Sequence, residues 1–466
     1  RYKYPHLGIM SLAASLRKAG LPAEILDCQN RKSFLRELID KSEKHDFVGF
    51  SSNYYSSGMV RDMATALRAA RPGVKIIVGG PRANYEPEKL VETFADFVVL
   101  GEGETSLAAL VAGEKPLEIG SLVYKDESGE IASTPQAPPL EDLDSLPFPD
   151  WDMVDYRNFG FTINKKRPLL SIIGSRGCPH ACVYCTKLVH GYRLRSRSVD
   201  NIIDEIGLDC DKYKAREIHF VDDNLNEPET RITSICEEII RRGLNRKAVF
   251  GTPNGLRPDA GSAEMFGLMS RAGFYFVIIS VESPVAEVSK KLGRDVDVGK
   301  ISETISSARK AGLIVSSFYL FGSPHDTKQS IAESADFAIR SKANMMSVFF
   351  PIPFPGSAMR DDLISRGVVG GEADDSPDSY AGLRPFFETN DWKRDDLTAM
   401  ARKTYLRFYF SPKRAVSNLL MLPKISSPSI LLSMLLKLII RGNPIHEKKP
   451  PDKKDARKHV SKGGRT

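Results

Sequence analysis

Three of the six cysteines in this chain of 466 residues lie close together, at Cys178, Cys182 and Cys185. Thiolates are soft ligands that suit iron–sulfur clusters or zinc. Three of them are one fewer than a closed four-iron cluster needs, so one iron would stay free to bind another molecule. A closed zinc site also needs a fourth ligand, which His180 or His190 could supply. The spacing therefore indicates a cluster with one open iron and leaves zinc as the alternative.

The cysteines also form a recognisable pattern, Cys-x3-Cys-x2-Cys, with the aromatic residue Tyr184 directly before the last cysteine. In this stretch the chain resembles the radical S-adenosylmethionine (radical SAM) superfamily. The resemblance implies a [4Fe-4S] cluster held by the three cysteines, with S-adenosylmethionine chelated to the open iron and Tyr184 near it. It further implies that an electron from the cluster splits the sulfonium and yields a 5′-deoxyadenosyl radical.

The cysteine motif follows an apolar run at residues 169–173, which opens a regular alternation of strand and helix patterns. Six strand–helix units follow one another, which is typical of a partial (β/α)6 barrel of the TIM type. Chemistry in parallel barrels takes place at the carboxyl ends of the strands, where the cysteine motif stands. Other polar residues follow later strands at the same rim, namely Asp222, Asp223, Asn254, Glu282 and Ser283.

The radical SAM resemblance gives these rim residues expected positions. It places Asp222 and Asp223 near the methionyl amino group or the substrate. It places Glu282 and Ser283 near the ribose or methionyl group, and Gly322 beside the adenine. Relatives usually have Gly-x-Glu-Ser-Gly where this chain has Ser280-Val281-Glu282-Ser283-Pro284, so the local backbone is expected to differ. A solvated loop position or a helix cap is the alternative for each carboxylate.

Residues 1–140 show a second alternation, which predicts a doubly wound, Rossmann-like α/β sheet. Its strands are predicted at residues 23–26, 47–50, 74–78 and 97–100. Ligands of such sheets bind beyond the carboxyl ends of the strands. Small and acidic residues stand at these ends: Ser51, Ser52, Gly79, Gly80, Gly101, Glu102, Gly103 and Glu104. They would let a large flat ligand approach the backbone, although tight turns alone also explain the glycines.

This half resembles the cobalamin-binding domain that precedes many radical SAM domains. The matching residues are Pro5-His6-Leu7-Gly8, Gly49-Phe50-Ser51, Val78-Gly79-Gly80-Pro81 and Leu100-Gly101-Glu102-Gly103-Glu104. The resemblance implies that the strand ends bind cobalamin. The family's first strand would precede Arg1, so the native N-terminus is expected to be missing. The Asp-x-His-x-x-Gly signature that supplies a lower cobalt ligand in other cobalamin proteins is absent. A Rossmann-like domain without a cofactor is the alternative.

The remaining sequence sets the predicted domain boundaries. A hairpin around residues 127–129 ends the first domain (1–140), and a Pro-rich linker (141–165) leads to the barrel (166–365). The C-terminal region (366–466) is predicted to be helical, with a basic disordered tail. Its apolar run at residues 429–441 is too short to span a bilayer and suits either an interfacial helix or a packed one.

Composition excludes several classes of protein. Six cysteines at uneven spacing do not suit a secreted disulfide scaffold. An oxygen-sensitive cluster needs a reducing interior, so the expected location is cytoplasmic, with membrane association through residues 429–441 as an option. The formal net charge of +7 is mild and concentrated in the tail, so no nucleic-acid partner is expected.

The two resemblances together imply a cobalamin-dependent radical SAM enzyme that methylates an unactivated carbon through methylcobalamin. Its partners would be a small-molecule or lipid-like substrate and a reducing electron donor such as flavodoxin or ferredoxin. The first alternative is a radical SAM cyclase or ring-rearranging enzyme that has the same cofactors and transfers no methyl group. The second is a sensor that uses cobalamin or the cluster without catalysis.

Overall fold

The computed structural model describes residues 4, 6–29, 34–161, 164–370, 384–411 and 414. Within them the chain forms two main sheets with helices packed on them, as the alternating patterns predict. The apolar run at residues 429–441, the basic tail and Pro5 of the first motif lie outside the described residues. No helix in the described part of the chain combines the length and the apolar character needed to cross a bilayer.

The first sheet has five strands that lie side by side in chain order. They are β1 (Phe47–Ser51), β2 (Lys75–Gly79), β3 (Phe97–Val99), β4 (Leu122–Lys125) and β5 (Ile131–Ser133). The first three are parallel, and the last two pair antiparallel as the predicted hairpin. The accompanying helices are α1 (Leu7–Lys18), α2 (Phe34–Ser42), α3 (Ser57–Ala70), α4 (Pro87–Thr93) and α5 (Glu104–Val111).

Alternation along the strands gives this sheet two apolar faces. Ile76 and Val78 of β2 belong to the same buried cluster as residues of α3 and α4. Ile77, between them in the chain, packs with Leu110 of α5 on the opposite face. Helices therefore cover both faces, and the Rossmann-like arrangement is confirmed as a mixed sheet.

The strand predicted at residues 23–26 is wrong. Residues 21–28 have no regular structure and border a large cavity instead. An apolar run becomes a strand only where a neighbouring strand completes its backbone hydrogen bonds. No strand of the described residues pairs with this segment.

The second sheet has six parallel strands. They are β6 (Leu169–Ile172), β9 (Glu217–Phe220), β10 (Val249–Leu256), β11 (Phe274–Glu282), β12 (Ile314–Leu320) and β13 (Met345–Phe349), and a separate ribbon is formed by β7 (Ser175–Arg176) and β8 (Arg195–Ser196). The helices are α6 (Val199–Asp211), α7 (Glu229–Arg241), α8 (Ala263–Arg271), α9 (Ala286–Lys291), α10 (Val298–Lys310), α11 (Lys328–Arg340), α12 (Ala358–Ser365) and α13 (Arg394–Tyr409). Because the strands pair in chain order from β6 to β13, the partial (β/α)6 barrel is confirmed.

The segment between the two sheets is packed onto the barrel. Three short 3-10 helices interrupt it, at Leu143–Ser145, Trp151–Met153 and Tyr156–Asn158. Trp151 is fully buried, and its Nε1 donates a hydrogen bond of 3.1 Å to Asp209 of α6. The connection is therefore fixed in place, while the predicted boundaries at residues 140 and 165 stay predictions.

The outer edge strand of the barrel, β13, is covered by helix α13. The hydroxyl of Tyr405 accepts a hydrogen bond of 2.8 Å from Val348 N, and the hydroxyl of Tyr409 accepts one of 3.1 Å from Met346 N. Burial raises the pKa of Tyr409 to about 12. The two tyrosines thus satisfy backbone groups that an open edge strand would leave free for another chain.

This arrangement predicts that Tyr405→Phe destabilises the fold. Val348 N would lose its acceptor inside the protein, which costs about 1 to 3 kcal/mol. Urea unfolding of the cofactor-free chain measures the loss. Tyr55→Phe is the control, because Tyr55 is 45% exposed. Equal unfolding free energies for the two variants would show that the edge contact contributes nothing.

Candidate functional site

The three cysteines lie in a loop, residues 177–194, that the β7–β8 ribbon closes at its base. The ribbon begins shortly after β6, so this cysteine loop stands at the carboxyl end of the first barrel strand, as predicted. Gly177 starts the loop with a φ of +82°, and a Cβ atom there would lie 2.2 Å from Arg193 O. Glycine is therefore required at the turn directly before Cys178.

Backbone contacts hold the cysteine loop in shape. Lys187 Nζ donates hydrogen bonds to Cys178 O at 2.8 Å and to His180 O at 2.6 Å. A Cβ atom on Gly293 would lie 2.5 Å from Ala181 O, so the loop rests directly on the turn after α9. None of these contacts uses a sulfur atom.

The cysteine thiols are free and influence one another. Although Cys185 is exposed, desolvation by the surrounding protein raises its pKa to about 11, with Lys187 opposing the effect and Cys182, Asp223 and Cys178 adding to it. Thiolates collected in this way repel one another unless a cation is present. A bound metal centre reverses the balance, because its own charge favours the deprotonated ligands.

The histidines that could complete a zinc site are bound elsewhere. His180 Nε2 is hydrogen-bonded to Glu227, and His190 Nδ1 to Glu102 at 2.8 Å. In the part of the chain that the structure describes, no three His, Cys, Asp or Glu side chains surround one point as a single ion requires. A cluster does not need such convergence, because each thiolate binds a different iron. The donor set therefore favours the iron–sulfur cluster.

Tyr184 of the cysteine loop forms a largely buried group with Glu282 and Arg294. Arg294 Nη1 donates a hydrogen bond of 3.1 Å to the Tyr184 hydroxyl and lies 4.0 Å from Glu282 Oε1. Glu282 has a left-handed φ of +62°, at a bulge where β11 shifts register against β12. Burial raises the pKa of Glu282, and Arg294 opposes this. A left-handed glutamate is uncommon, and such strain is concentrated at functional sites.

Arg294 is a site residue that the sequence patterns do not reveal. It lies in the turn after α9, away from the strand ends on which the barrel argument depends. Although burial opposes its charge, Tyr184, Glu282 and Cys182 raise the pKa of Arg294. A signal was present in the adjacent Gly293, whose missing side chain lets this turn approach the cysteine loop.

The two aspartates after β9 have different surroundings. Asp222 is buried, and its carboxylate accepts hydrogen bonds from Gly174 N at 3.1 Å, Ser175 Oγ at 2.6 Å and Arg231 Nη2 at 2.5 Å. These bonds hold the start of the β7–β8 ribbon. Asp223 instead lines the cavity that borders the cysteine loop. Of the two, Asp223 is the one that borders this cavity, and the expected ligand contacts of both aspartates stay predictions.

Ser283 and Gly322 make contacts within the protein. Ser283 is buried, and its Oγ accepts a hydrogen bond of 3.3 Å from Val285 N. A Cβ atom on Gly322 would lie 2.3 Å from Leu397 Cδ1, so this glycine makes room for α13. Their expected places near the ribose and the adenine stay predictions.

One cavity of about 1170 Å³ connects the first sheet with the cysteine loop. Cys178, Cys185 and Asp223 border it on the barrel side. The strand-end residues Ser51, Gly79, Gly80, Gly101, Glu102, Gly103 and Glu104 border it on the other. Ser52 lies behind this wall, where its backbone bonds to Gly79 O and Arg82 N. The two predicted cofactor sites therefore face a single space.

Asn84 joins the two glycine turns that form this wall. Its Nδ2 donates a hydrogen bond of 2.9 Å to Gly80 O, and its Oδ1 accepts one of 2.6 Å from Gly101 N. Both glycines have left-handed φ values, +92° and +63°. The carboxyl ends of β2 and β3 thus present backbone to the cavity at two positions that carry no side chain.

The carboxylates of Glu102 and Glu104 are directed toward the barrel. Both Nη atoms of Arg195 donate to Glu102, at 2.9 and 2.7 Å, and Arg176 Nη1 lies 3.5 Å from it. Arg176 Nη2 donates to Glu104 at 2.6 Å. With His190, these side chains form what we call the charge cluster. Although burial opposes ionisation, Arg195, His190 and Arg176 hold the pKa of Glu102 well below its usual range.

Two family models match this chain. Residues 1–111 match the B12 binding domain, and residues 172–338 match the Radical SAM superfamily. The chain is a radical SAM protein with a B12-binding domain. The predicted cofactor set of a [4Fe-4S] cluster, S-adenosylmethionine and cobalamin is thereby confirmed, and the individual binding residues stay predictions.

Curated relatives of this radical SAM protein include methyltransferases and cyclases. An uncharacterized methyltransferase of Pyrococcus horikoshii is 24% identical over 89% of this chain and 90% of its own length. The hopanoid C-3 methylase of Methylococcus capsulatus is 30% identical over 66% of this chain and 59% of its own. The anaerobic magnesium-protoporphyrin IX monomethyl ester cyclase of Cereibacter sphaeroides is 22% identical over 87% of this chain and 67% of its own length.

A solved structure shares the fold of this radical SAM protein. The cobalamin-dependent S-adenosylmethionine radical enzyme OxsB, with aqua-cobalamin and S-adenosylmethionine bound, aligns with a TM-score of 0.71 at 17% identity. The alignment covers 98% of this chain and 73% of that one. It confirms the order of a Rossmann-like sheet followed by a partial barrel.

The charge cluster predicts a pH dependence for the stability of this radical SAM protein. The pKa of Glu102 is lower in the folded chain than its ordinary value of 4.5, so the unfolded chain takes up this proton first. The stability that Glu102 contributes is full above its ordinary pKa and is lost as the pH falls below it.

Glu102→Gln should therefore flatten the acid-side slope of the unfolding free energy, by up to about 1.4 kcal/mol per pH unit. Urea unfolding of the cofactor-free chain between about pH 3 and pH 5 measures the slope. Glu141→Gln is the matched control, since Glu141 pairs with Arg193 of the cysteine loop at the surface. An unchanged slope in Glu102→Gln would contradict the buried ion pair.

Proposed function

We propose that this protein is a cobalamin-dependent radical SAM methyltransferase that methylates an unactivated carbon of a small, largely apolar molecule. The observation that carries the proposal is the shared cavity. The strand ends of the B12-binding domain and the cysteine loop border the same space, so a substrate between them would be near both cofactors. Bringing reacting groups together in this way is the main contribution a protein makes to radical chemistry on bound cofactors.

The residues around the cavity fit these groups. Cys178 and Cys185, which border the cavity, and Cys182 of the same loop would supply the thiolates for the cluster, and the turns at Gly80 and Gly101 present bare backbone to a flat ligand. When bound, the cluster supplies the electron that splits S-adenosylmethionine, and cobalamin carries the methyl group.

In this proposal, Arg294, Tyr184 and Glu282 orient S-adenosylmethionine. The guanidinium of Arg294 suits a carboxylate, for which a charge-assisted hydrogen bond is the strongest available contact. Glu282 is held in a strained conformation beside it and suits an ammonium or a ribose hydroxyl. The fixed bond between Arg294 and Tyr184 means that this recognition surface is formed before the ligand arrives.

The cavity lining supports an apolar substrate. Leu12, Leu16, Ile25, Met59 and Met63 border the same space as the cysteines. Such walls favour burial of hydrocarbon. A hopanoid is the substrate in the name of one relative, and a porphyrin ester in another. A lipid-like or pigment-like molecule is therefore the proposed class, and a flavodoxin or ferredoxin is the proposed electron donor.

Ring formation without methyl transfer is the second candidate. The cyclase of Cereibacter sphaeroides, matched over 87% of this chain, favours it. The two candidates differ in how they use S-adenosylmethionine. Methyl transfer to cobalamin leaves S-adenosylhomocysteine, whereas reductive cleavage leaves 5′-deoxyadenosine. A methyltransferase forms both products, and a cyclase of this kind forms 5′-deoxyadenosine alone.

The deciding experiment uses the anaerobically reconstituted protein with cobalamin, a reductant and S-adenosylmethionine that carries a deuterated methyl group. Both products should accumulate, and a methylated substrate should gain the labelled methyl. Cys182→Ala, with its fold checked by circular dichroism, should form no 5′-deoxyadenosine above the iron-free protein. Formation of 5′-deoxyadenosine without S-adenosylhomocysteine would favour the cyclase. Absence of both products in the loaded wild-type protein would favour a sensor.

Arg294→Gln should weaken the use of S-adenosylmethionine. Loss of a charge-assisted contact should raise its KM about tenfold or more, with a smaller change in kcat. Steady-state formation of 5′-deoxyadenosine measures both constants. Arg193→Gln is the control, because the Arg193 side chain is 75% exposed in the neighbouring cysteine loop. A KM equal to that of the control would remove Arg294 from the binding site.

A further inference from the structure

The base of the cysteine loop carries two positive charges that face each other. Arg176 of β7 and Arg195 of β8 are direct partners across the antiparallel ribbon. Both side chains are largely buried, with exposed fractions of 11% and 2%. Like charges at opposite positions destabilise strand pairing, and burial increases the repulsion because water no longer screens it. The ribbon that closes the cysteine loop therefore needs a counter-charge.

The counter-charge comes from the other sheet. Glu102 receives both Nη atoms of Arg195 and lies 3.5 Å from Arg176. Glu104 accepts a hydrogen bond of 2.6 Å from Arg176 Nη2 and another of 2.7 Å from Ser11 Oγ of α1. The ribbon belongs to the barrel, whereas both glutamates follow β3. The glutamates of the B12-binding domain thus neutralise the repulsion between two arginines of the barrel.

The positions of these glutamates are set by the same turns that line the cavity. Gly101 N is hydrogen-bonded to Asn84, which also holds Gly80 O. Glu102 follows Gly101 directly, and Glu104 begins α5. A short, rigid path of backbone and side-chain contacts therefore runs from the proposed cobalamin edge to the base of the cysteine loop.

We propose that Glu102 and Glu104 are positioning residues that hold the base of the cysteine loop closed, so that the B12-binding domain helps to complete the cluster site. A buried ion-pair network is a costly way to join two surfaces, and its best-attested use is to select one register. Here the selected register is the one in which the cysteine loop faces the strand ends. This deepens the proposed function and rests on it only for the presence of the cluster and cobalamin.

The test measures how firmly the full-length protein holds its cluster. The wild-type chain and its variants are loaded anaerobically with iron, sulfide and hydroxocobalamin, and a chelator then removes the iron. Glu102→Gln leaves two facing arginines with one carboxylate and should lose iron about tenfold faster or more. Glu141→Gln should lose it at the wild-type rate, since its pair with Arg193 is exposed.

A second variant separates charge from packing. In Glu102→Gln with Arg195→Gln, one of the two facing charges is removed, while Arg176 keeps its bond to Glu104. Iron release from this double variant should therefore return most of the way to the wild-type rate. If Glu102 acted only by filling space, the double variant would be worse than the single one.

The outcomes are distinct for the two proposals. A wild-type protein that takes up neither cluster nor cobalamin contradicts the proposed function. A loaded Glu102→Gln protein that releases iron at the wild-type rate contradicts this inference alone, as does a double variant without recovery. Should Glu102→Gln not fold, Glu104→Gln leaves Glu102 between the arginines and should still release iron faster than Glu141→Gln. Equal rates of iron release from Glu104→Gln and Glu141→Gln would also contradict this inference.

Discussion

The bidentate bond between Glu102 and Arg195 is the contact on which the arrangement of this protein depends. It joins Glu102, in the loop after β3, to Arg195 at the base of the cysteine loop. Arg176 and Arg195 would repel each other across their ribbon, so the carboxylate is part of the barrel's own electrostatics. The two halves of the molecule are therefore complementary in charge at the point where the proposed cofactors meet.

Glycine residues shape both sides of the cavity next to this contact. Gly80 and Gly101 take left-handed conformations and present backbone to the space in front of the sheet, with Asn84 between them. On the barrel side, Gly177 and Gly293 allow the cysteine loop to turn and to rest on the neighbouring backbone. The glycine turns of the first sheet and the cysteine loop then border one cavity.

The sequence predicts those parts that depend on local pattern. Spacing identifies the cysteine loop, and the alternation of apolar runs identifies the barrel, because neighbouring residues decide both. The strand predicted at residues 23–26 is wrong, since a strand also needs a partner that no local pattern supplies. The carboxylates of Glu102 and Glu104 bond arginines more than 70 positions away, which only the folded chain brings near, and the expected contact of these residues with cobalamin stays a prediction. The place of Arg294 and the contacts that the tyrosines of α13 make with β13 are hidden from sequence patterns for the same reason.

Cobalamin and the cluster are proposed to occupy one cavity. The relaxation of the cob(II)alamin electron spin tests whether the two cofactors lie close together. The wild-type protein is loaded with both cofactors, and the cob(II)alamin signal is compared before and after reduction of the cluster. Two paramagnets in one cavity interact, so the cob(II)alamin signal should relax faster and broaden once the cluster is reduced. A cob(II)alamin signal that is identical in both states would contradict this proposal.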